Sequence, residues 1–95
     1  MTKAYLQITL QIDETYRANA AGIYQKYRSP FLESVPGALS KELLVHIQGV
    51  QVLHGFESVE AAQAYLTSEL FNKDVVEALK PYLKRQPDIR IYNVV

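Results

Sequence analysis

The run Val35-Pro36-Gly37-Ala38-Leu39-Ser40-Lys41-Glu42-Leu43-Leu44 constrains this chain more than any other stretch. Pro36-Gly37 is a turn dipeptide, and an extended pattern starts directly after it. A second extended run, Val50 to Phe56, follows Gln48-Gly49, and a helix signal begins at Ser58. Only Gln48-Gly49 separates the two β-rich cores, and glycine takes positive φ freely, so a tight hairpin is predicted. Its register follows by arithmetic: Ile47 opposite Val50, Val45 opposite Val52, Leu43 opposite His54, Lys41 opposite Phe56. Directly paired residues share a face. One face therefore carries Leu43, Val45, Ile47, Val50, Val52, His54 and Phe56. The other carries Glu42, Leu44, His46, Gln51, Leu53 and Gly55. The first set is the more apolar and is expected to be the helix-covered core.

The remaining segments fit around this hairpin. Ala4 to Ile12 alternates strictly, with Ala4, Leu6, Ile8, Leu10 and Ile12 on one side and Tyr5, Gln7, Thr9 and Gln11 on the other. Period two of this length marks a strand with one buried face. Asp13, Glu14 and Thr15 offer capping and favourable charge to a helix start. Tyr16, Ala20, Ile23, Tyr24, Tyr27 and Phe31 recur at helical spacing, and Pro30 predicts a break or kink near Ser29. Ser58 reads as an N-cap with Glu60 in the first turn, and the helix runs through Ala62 and Leu66 toward Leu70. A second helical piece is expected from Asn72 with Val75, Val76, Leu79, Tyr82 and Leu83 on one side, kinked at Pro81. Ile89 to Val95 reads as a last strand. The order βαββαβ predicts an α+β, ferredoxin-like single domain over residues 1–95 with a four-stranded antiparallel sheet. Two helices cover one sheet face only. The other face would present Leu44, Leu53, Tyr92 and Val94, which implies a homodimer whose sheets face each other.

Composition excludes several classes of function. The chain of 95 residues has no cysteine, so disulfides, thiolate metal sites and a cysteine nucleophile are ruled out. Its formal net charge is zero and its Lys and Arg are scattered, which argues against a nucleic-acid partner. No apolar run approaches the roughly 20 residues that span a bilayer, and no signal-peptide core is present, so a cytoplasmic protein without membrane contact is expected. His46 and His54 fall on opposite faces, and Glu42 and Glu57 do not converge with them, so no metal site is expected. The four glycines form no phosphate loop, and no nucleophile elbow occurs.

The segment Pro36-Gly37-Ala38-Leu39-Ser40-Lys41-Glu42-Leu43 resembles the Pro-Gly-x-Leu-x-Tyr-Glu-Leu stretch of the antibiotic-biosynthesis-monooxygenase-like dimeric α+β-barrel proteins. The resemblance continues through Phe56-Glu57-Ser58, Leu66-Thr67-Ser68, Leu79-Lys80-Pro81-Tyr82-Leu83 and Pro87-Asp88-Ile89-Arg90-Ile91-Tyr92. It implies a dimeric barrel. It leaves the activity open, because the group spans quinol and polyketide oxygenases, haem-degrading enzymes and proteins of no assigned role. Three positions depart from the active members. His54-Gly55-Phe56 stands where many of them have Glu-x-Trp, Tyr65 stands where a helix histidine is common, and Lys41 replaces the tyrosine before Glu-Leu. The usual haem ligand from that helix is thus absent, and no cofactor is expected.

His54 is the sharpest catalytic candidate. An imidazole of near-neutral pKa can take a proton from a phenol or enol. Tyr65, two turns into the following helix, can orient a substrate or donate to a developing oxyanion. Phe56, Tyr24 and Tyr27 would line a pocket for a flat aromatic ligand, since buried tyrosine hydroxyls need partners that leucine would not. The tyrosines of the first helix also fit plain core packing. His46 is expected at the dimer contact or in solvent. These residues imply a cofactor-independent monooxygenase acting on a small aromatic or quinol-like metabolite. The alternative is a non-catalytic ligand-binding or stress-related barrel that keeps the fold without the chemistry.

Overall fold

The alternation at the N-terminus sets the plane of the structure. The computed structural model describes residues 1–47 and 49–95. In it Ala4–Leu10 forms β1, with Ala4, Leu6, Ile8 and Leu10 buried and Tyr5, Gln7 and Thr9 on the far side. Each fully buried Leu or Ile contributes roughly 1.5–3 kcal/mol, so this face alone commits the sheet to one covered side. The strand is two residues shorter than the pattern predicts. Ile12 is still buried, held in an isolated bridge to Leu83.

β1 is central in a sheet of order β2-β3-β1-β4, where β2 is Ala38–His46, β3 is Gly49–Phe56 and β4 is Asp88–Asn93. Every pairing is antiparallel. α1 (Arg17–Ser34), after a 3-10 turn at Glu14–Tyr16, joins β1 to β2. α2 (Val59–Leu66), α3 (Glu69–Phe71), a π-helical segment (Asn72–Leu79) and a 3-10 turn (Lys80–Tyr82) join β3 to β4. This is the ferredoxin-like α+β fold that the βαββαβ order predicts. No helix among the described residues is long and apolar enough to cross a membrane.

The hairpin differs in register from the sequence expectation. Lys41 lies opposite His54, Leu43 opposite Val52, Val45 opposite Val50 and His46 opposite Gly49. The expected turn residue Gln48 lies outside the described residues. Gly49 does not supply a positive φ; among the described residues only Gly37 does, at 78°. Gly49 is instead the first residue of β3, and a Cβ there would come within 2.5 Å of the Leu10 carbonyl oxygen. Close approach to β1, not turn geometry, is what a side chain at residue 49 would obstruct. The slip keeps the parity, so every residue stays on its expected face. The core is shorter than expected, however. Val50, Val52, His54 and Phe56 are buried, but Val45 and Ile47 are exposed because the hairpin tip projects past the helices. At the other end of β2 the register shifts between Ala38 and Ser40, a bulge at Leu39.

α1 runs unbroken through Pro30 to Ser34. Pro30 removes one N–H, whose acceptor would be the carbonyl of Lys26. Both residues lie on the exposed side of the helix, so that carbonyl faces solvent and the helix continues. Phe31 is consequently carried to full burial. Ala20, Ile23 and Tyr24 pack on the core, whereas Tyr16 precedes α1, is exposed, and rests on Tyr82. Asp13 makes no side-chain cap and pairs with Lys84 at 3.2 Å.

The expected N-cap forms at Ser58, whose Oγ accepts from Ala61 N–H at 3.1 Å. α2 stops at Leu66, short of Leu70, because Ser68 opens a second helix by accepting from Phe71 N–H. Pro81 sits in the closing 3-10 turn and ends this layer instead of kinking it. Leu44, Tyr92 and Val94 are exposed and Leu53 half-buried on or beside the uncovered sheet face.

Candidate functional site

The β-sheet register places His54 between Leu6 of β1 and Lys41 of β2, on the covered face. Its Nδ1 lies 3.2 Å from the Leu6 carbonyl oxygen. A carbonyl only accepts, so Nδ1 carries the hydrogen and Nε2 presents a bare lone pair. Nε2 is buried with no hydrogen-bond partner among the described residues. Burial, and secondarily the Lys41 charge, pull the His54 pKa down to about 3, with the Leu6 bond opposing. At neutral pH the ring is an uncharged acceptor, and in this closed arrangement it is a weak base.

Tyr65 reaches the same place from α2. Its hydroxyl is buried and likewise has no partner among the described residues. Burial and the Asp74 charge push its pKa up, so it remains a phenol and a donor. The two side chains are in ring contact at 5.5 Å between centroids. Phe31 meets both edge-on, at 5.1 Å from His54 and 5.0 Å from Tyr65, and also meets Phe56 at 5.6 Å. Phe71 closes the far side of Tyr65 at 5.5 Å. The structure thus brings together His54, Tyr65 and Phe56 as a polar pair inside an aromatic shell.

Lys41 is the residue that sequence reasoning missed. Its register position faces the core, its side chain is 1 % exposed, and its Nζ lies 2.8 Å from Asp74 Oδ2. The same ammonium stands 5.3 Å from the centroid of Phe31. Asp74 is also buried; burial pushes its carboxyl pKa up and Lys41 opposes that shift. Its only sequence signal was the inward strand position of Lys41, since an ammonium in a core requires an anion. Tyr24 joins this group by donating to the Lys41 carbonyl at 2.7 Å. Tyr27 stands apart: it is half-buried, with the Lys26 ammonium 5.3 Å from its ring. His46 is exposed on the opposite sheet face, across from Gly49.

The interior is closed around these groups. A void of about 10 Å³ lies among Tyr24, Lys41, Asp74 and Leu79, room for about one water. Tyr65 also borders an open surface cleft of about 430 Å³ with Ser34, Gly37, Glu57, Ala61 and Ser68. Among the described residues no three His, Cys, Asp or Glu converge to hold a metal ion. The rings of His54 and Tyr65 pack directly against Phe31 and Phe56.

Neutral burial of His54 makes stability depend on pH. The unfolded chain takes a proton on His54 below about pH 6.5, while the folded chain resists until about 3. Stability therefore falls as the pH drops through that window, by at most about 1.4 kcal/mol per unit. Asp74, with its raised pKa, acts in the opposite sense above pH 3.8. Comparing wild type with His54→Gln by urea unfolding isolates the histidine. The wild type should lose stability relative to the variant between pH 6.5 and 4. A difference that does not change with pH contradicts a neutral buried His54.

No protein-family model and no curated protein matches the chain. Solved structures do match it over nearly their whole length. A conserved protein from Methanosarcina mazei superimposes with TM-score 0.84 at 12% identity, covering 100% of this chain and 95% of that one. A Caulobacter crescentus protein provisionally named an antibiotic biosynthesis monooxygenase gives 0.83 at 18%, covering 99% and 91%. The heme-degrader of Mycobacterium tuberculosis, with two hemes bound in its active site, gives 0.77 at 17%, covering 97% and 95%. Identities this low establish a likeness of architecture: the chain has the α+β ferredoxin-like fold of the antibiotic-biosynthesis-monooxygenase-like proteins.

Proposed function

We propose that this protein binds a small phenolic or quinol-like molecule between its helices and sheet and oxygenates it without a bound cofactor. The observation that carries this reading is the pair of unpartnered buried atoms, His54 Nε2 and Tyr65 Oη. Leaving a buried donor or acceptor unmade costs about 1–3 kcal/mol each. A core built only for stability would replace both with apolar groups. A phenol admitted when the packed rings move apart satisfies them together, giving its O–H to Nε2 and accepting from Oη. The aromatic faces of Phe31, Phe56 and Phe71 suit a flat ring. The surface cleft bordered by Tyr65 is the approach from solvent.

In the oxygenation, the ionised phenol supplies electrons from ring carbon to dioxygen. One oxygen atom ends on that carbon as a carbonyl, and the other leaves as water, which takes the hydrogen of that carbon and the proton released from the phenol O–H. Phe56 shapes the apolar chamber and Tyr65 steadies the oxyanion. Tyr24 acts from the rim through the Lys41 carbonyl, and Tyr27 flanks the helix side. The second reading, a ligand-binding barrel without catalysis, is favoured by one specific feature. His54 is fully enclosed and its basicity is far below that of a free imidazole.

Oxygen uptake with a panel of hydroquinones and anthrones separates the two readings. The oxygenase reading expects uptake with at least one substrate and a loss of tenfold or more in His54→Ala, which removes the acceptor that orients the incoming phenol O–H. Retained aromatic binding with no uptake from any substrate leaves the binding barrel.

The uncovered sheet face supports a homodimer. Its rows run Tyr92–Tyr5–Gly55–Ser40, Arg90–Gln7–Leu53–Glu42 and Asp88–Thr9–Gln51–Leu44. Arg90 and Glu42 at opposite edges, with Leu53 and Tyr5 among polar residues between them, make the face self-complementary when two sheets stack about a two-fold axis. Sedimentation at micromolar concentration should give twice the mass of one chain; a single-chain mass contradicts this.

A further inference from the structure

We propose that Lys41 is the binding group for an aromatic oxyanion, a phenolate or enolate, and that Asp74 holds this position while the interior is closed. The proposal rests on the interior being a ligand site, and it adds the charge state of the ligand and the group that selects it.

Three observations carry it. First, the ammonium shares an aromatic neighbour with the two unpartnered groups. It stands over Phe31, the same ring that touches His54 and Tyr65. An oxygen held there is within the shell that contains both unpartnered atoms. Second, the pair is a poor choice for stability. A buried ion pair is often matched or bettered by apolar residues of the same volume, whereas one buried charge without its partner is costly. Lys41 thus requires one negative partner at all times, but nothing requires that partner to be Asp74. A neutral ligand cannot take the place of the carboxylate; an oxyanion can. Third, Asp74 sits on a separate piece of chain. The π-helical segment Asn72–Leu79 continues from α3, whose Ser68 cap divides it from α2 at Thr67–Ser68, and it is followed by the 3-10 turn that contains Pro81. π-Helical backbone is rare and concentrates at functional sites. A void of about 10 Å³ lies directly beside the pair, so the packing there is already incomplete.

The proton balance closes within the site. The phenol O–H bond breaks and an O–H bond forms on the Asp74 carboxyl, whose burial already favours the protonated form. The site goes from ammonium plus carboxylate to ammonium plus phenolate, with no change in net charge. Asp74, not His54, takes the phenol proton, and Tyr65 donates to the oxyanion.

4-Nitrophenol tests this, because its phenolate absorbs in the visible and its neutral form does not. 4-Nitroanisole is the uncharged control of the same shape. Wild type should bind nitrophenol as the coloured phenolate at a pH where the free probe is mostly neutral. Asp74→Asn removes the competing anion and should bind the phenolate at least tenfold more tightly. The double variant Lys41→Met/Asp74→Leu, which strands no charge and so should remain folded, should bind both probes alike and without colour. Colourless nitrophenol on wild type and on Asp74→Asn, with nitroanisole bound, overturns the role of Lys41 while the interior site stands. Failure of both probes to bind any of the three proteins removes the interior site and this proposal with it.

Discussion

The ring of Phe31 is the contact on which the interior depends. It is fully buried, meets His54, Phe56 and Tyr65 edge-on, and carries the Lys41 ammonium above it. Edge-to-face packing fixes the orientation of each partner as well as its position. The ring reaches this place only because α1 continues through Pro30, with the proline on the solvent side. A helix that ended at Ser29 would leave Phe31 in a loop and the two strands of the hairpin without a lid. One backbone detail therefore decides whether β2, β3 and α2 enclose a common space.

That space is chemically unusual for so small a core. It contains an imidazole nitrogen and a phenol hydroxyl that find no partner among the described residues, and an ammonium paired with a carboxylate from 33 residues away. Desolvation sets the behaviour of the imidazole, the phenol and the carboxylate. It keeps His54 neutral, keeps Tyr65 protonated and lifts the Asp74 carboxyl, while the opposite charge of Lys41 restrains that last shift. The site is thus arranged around hydrogen bonding and one buried ion pair, not around a free base.

The sequence was legible wherever periodicity governed the outcome. Ala4, Leu6, Ile8 and Leu10 are buried as their alternation requires, and Ser58 caps the helix that its position announces. His54 and Phe56 face inward even though the hairpin register was displaced, because the displacement preserved parity. Three features were not legible. The role of Gly49 depends on the approach of Leu10 from another strand, which local turn chemistry does not encode. The tolerance of Pro30 depends on which side of α1 faces solvent. Lys41 read as an ordinary charged residue because its partner Asp74 lies in a helical stretch where an acid looks like a solvated face. The exposed Val45 and Ile47 were misplaced for a related reason: strand pattern marks a face, but not how far the helices extend over it.

The central claim is that His54 is neutral, with its hydrogen on Nδ1 and an open Nε2 turned to the interior. Long-range proton–nitrogen NMR of the imidazole ring reads this directly at neutral pH. The account predicts a neutral ring protonated at Nδ1, whose Nε2 resonance moves when a phenol is added. An imidazolium, or a ring protonated at Nε2, would contradict it.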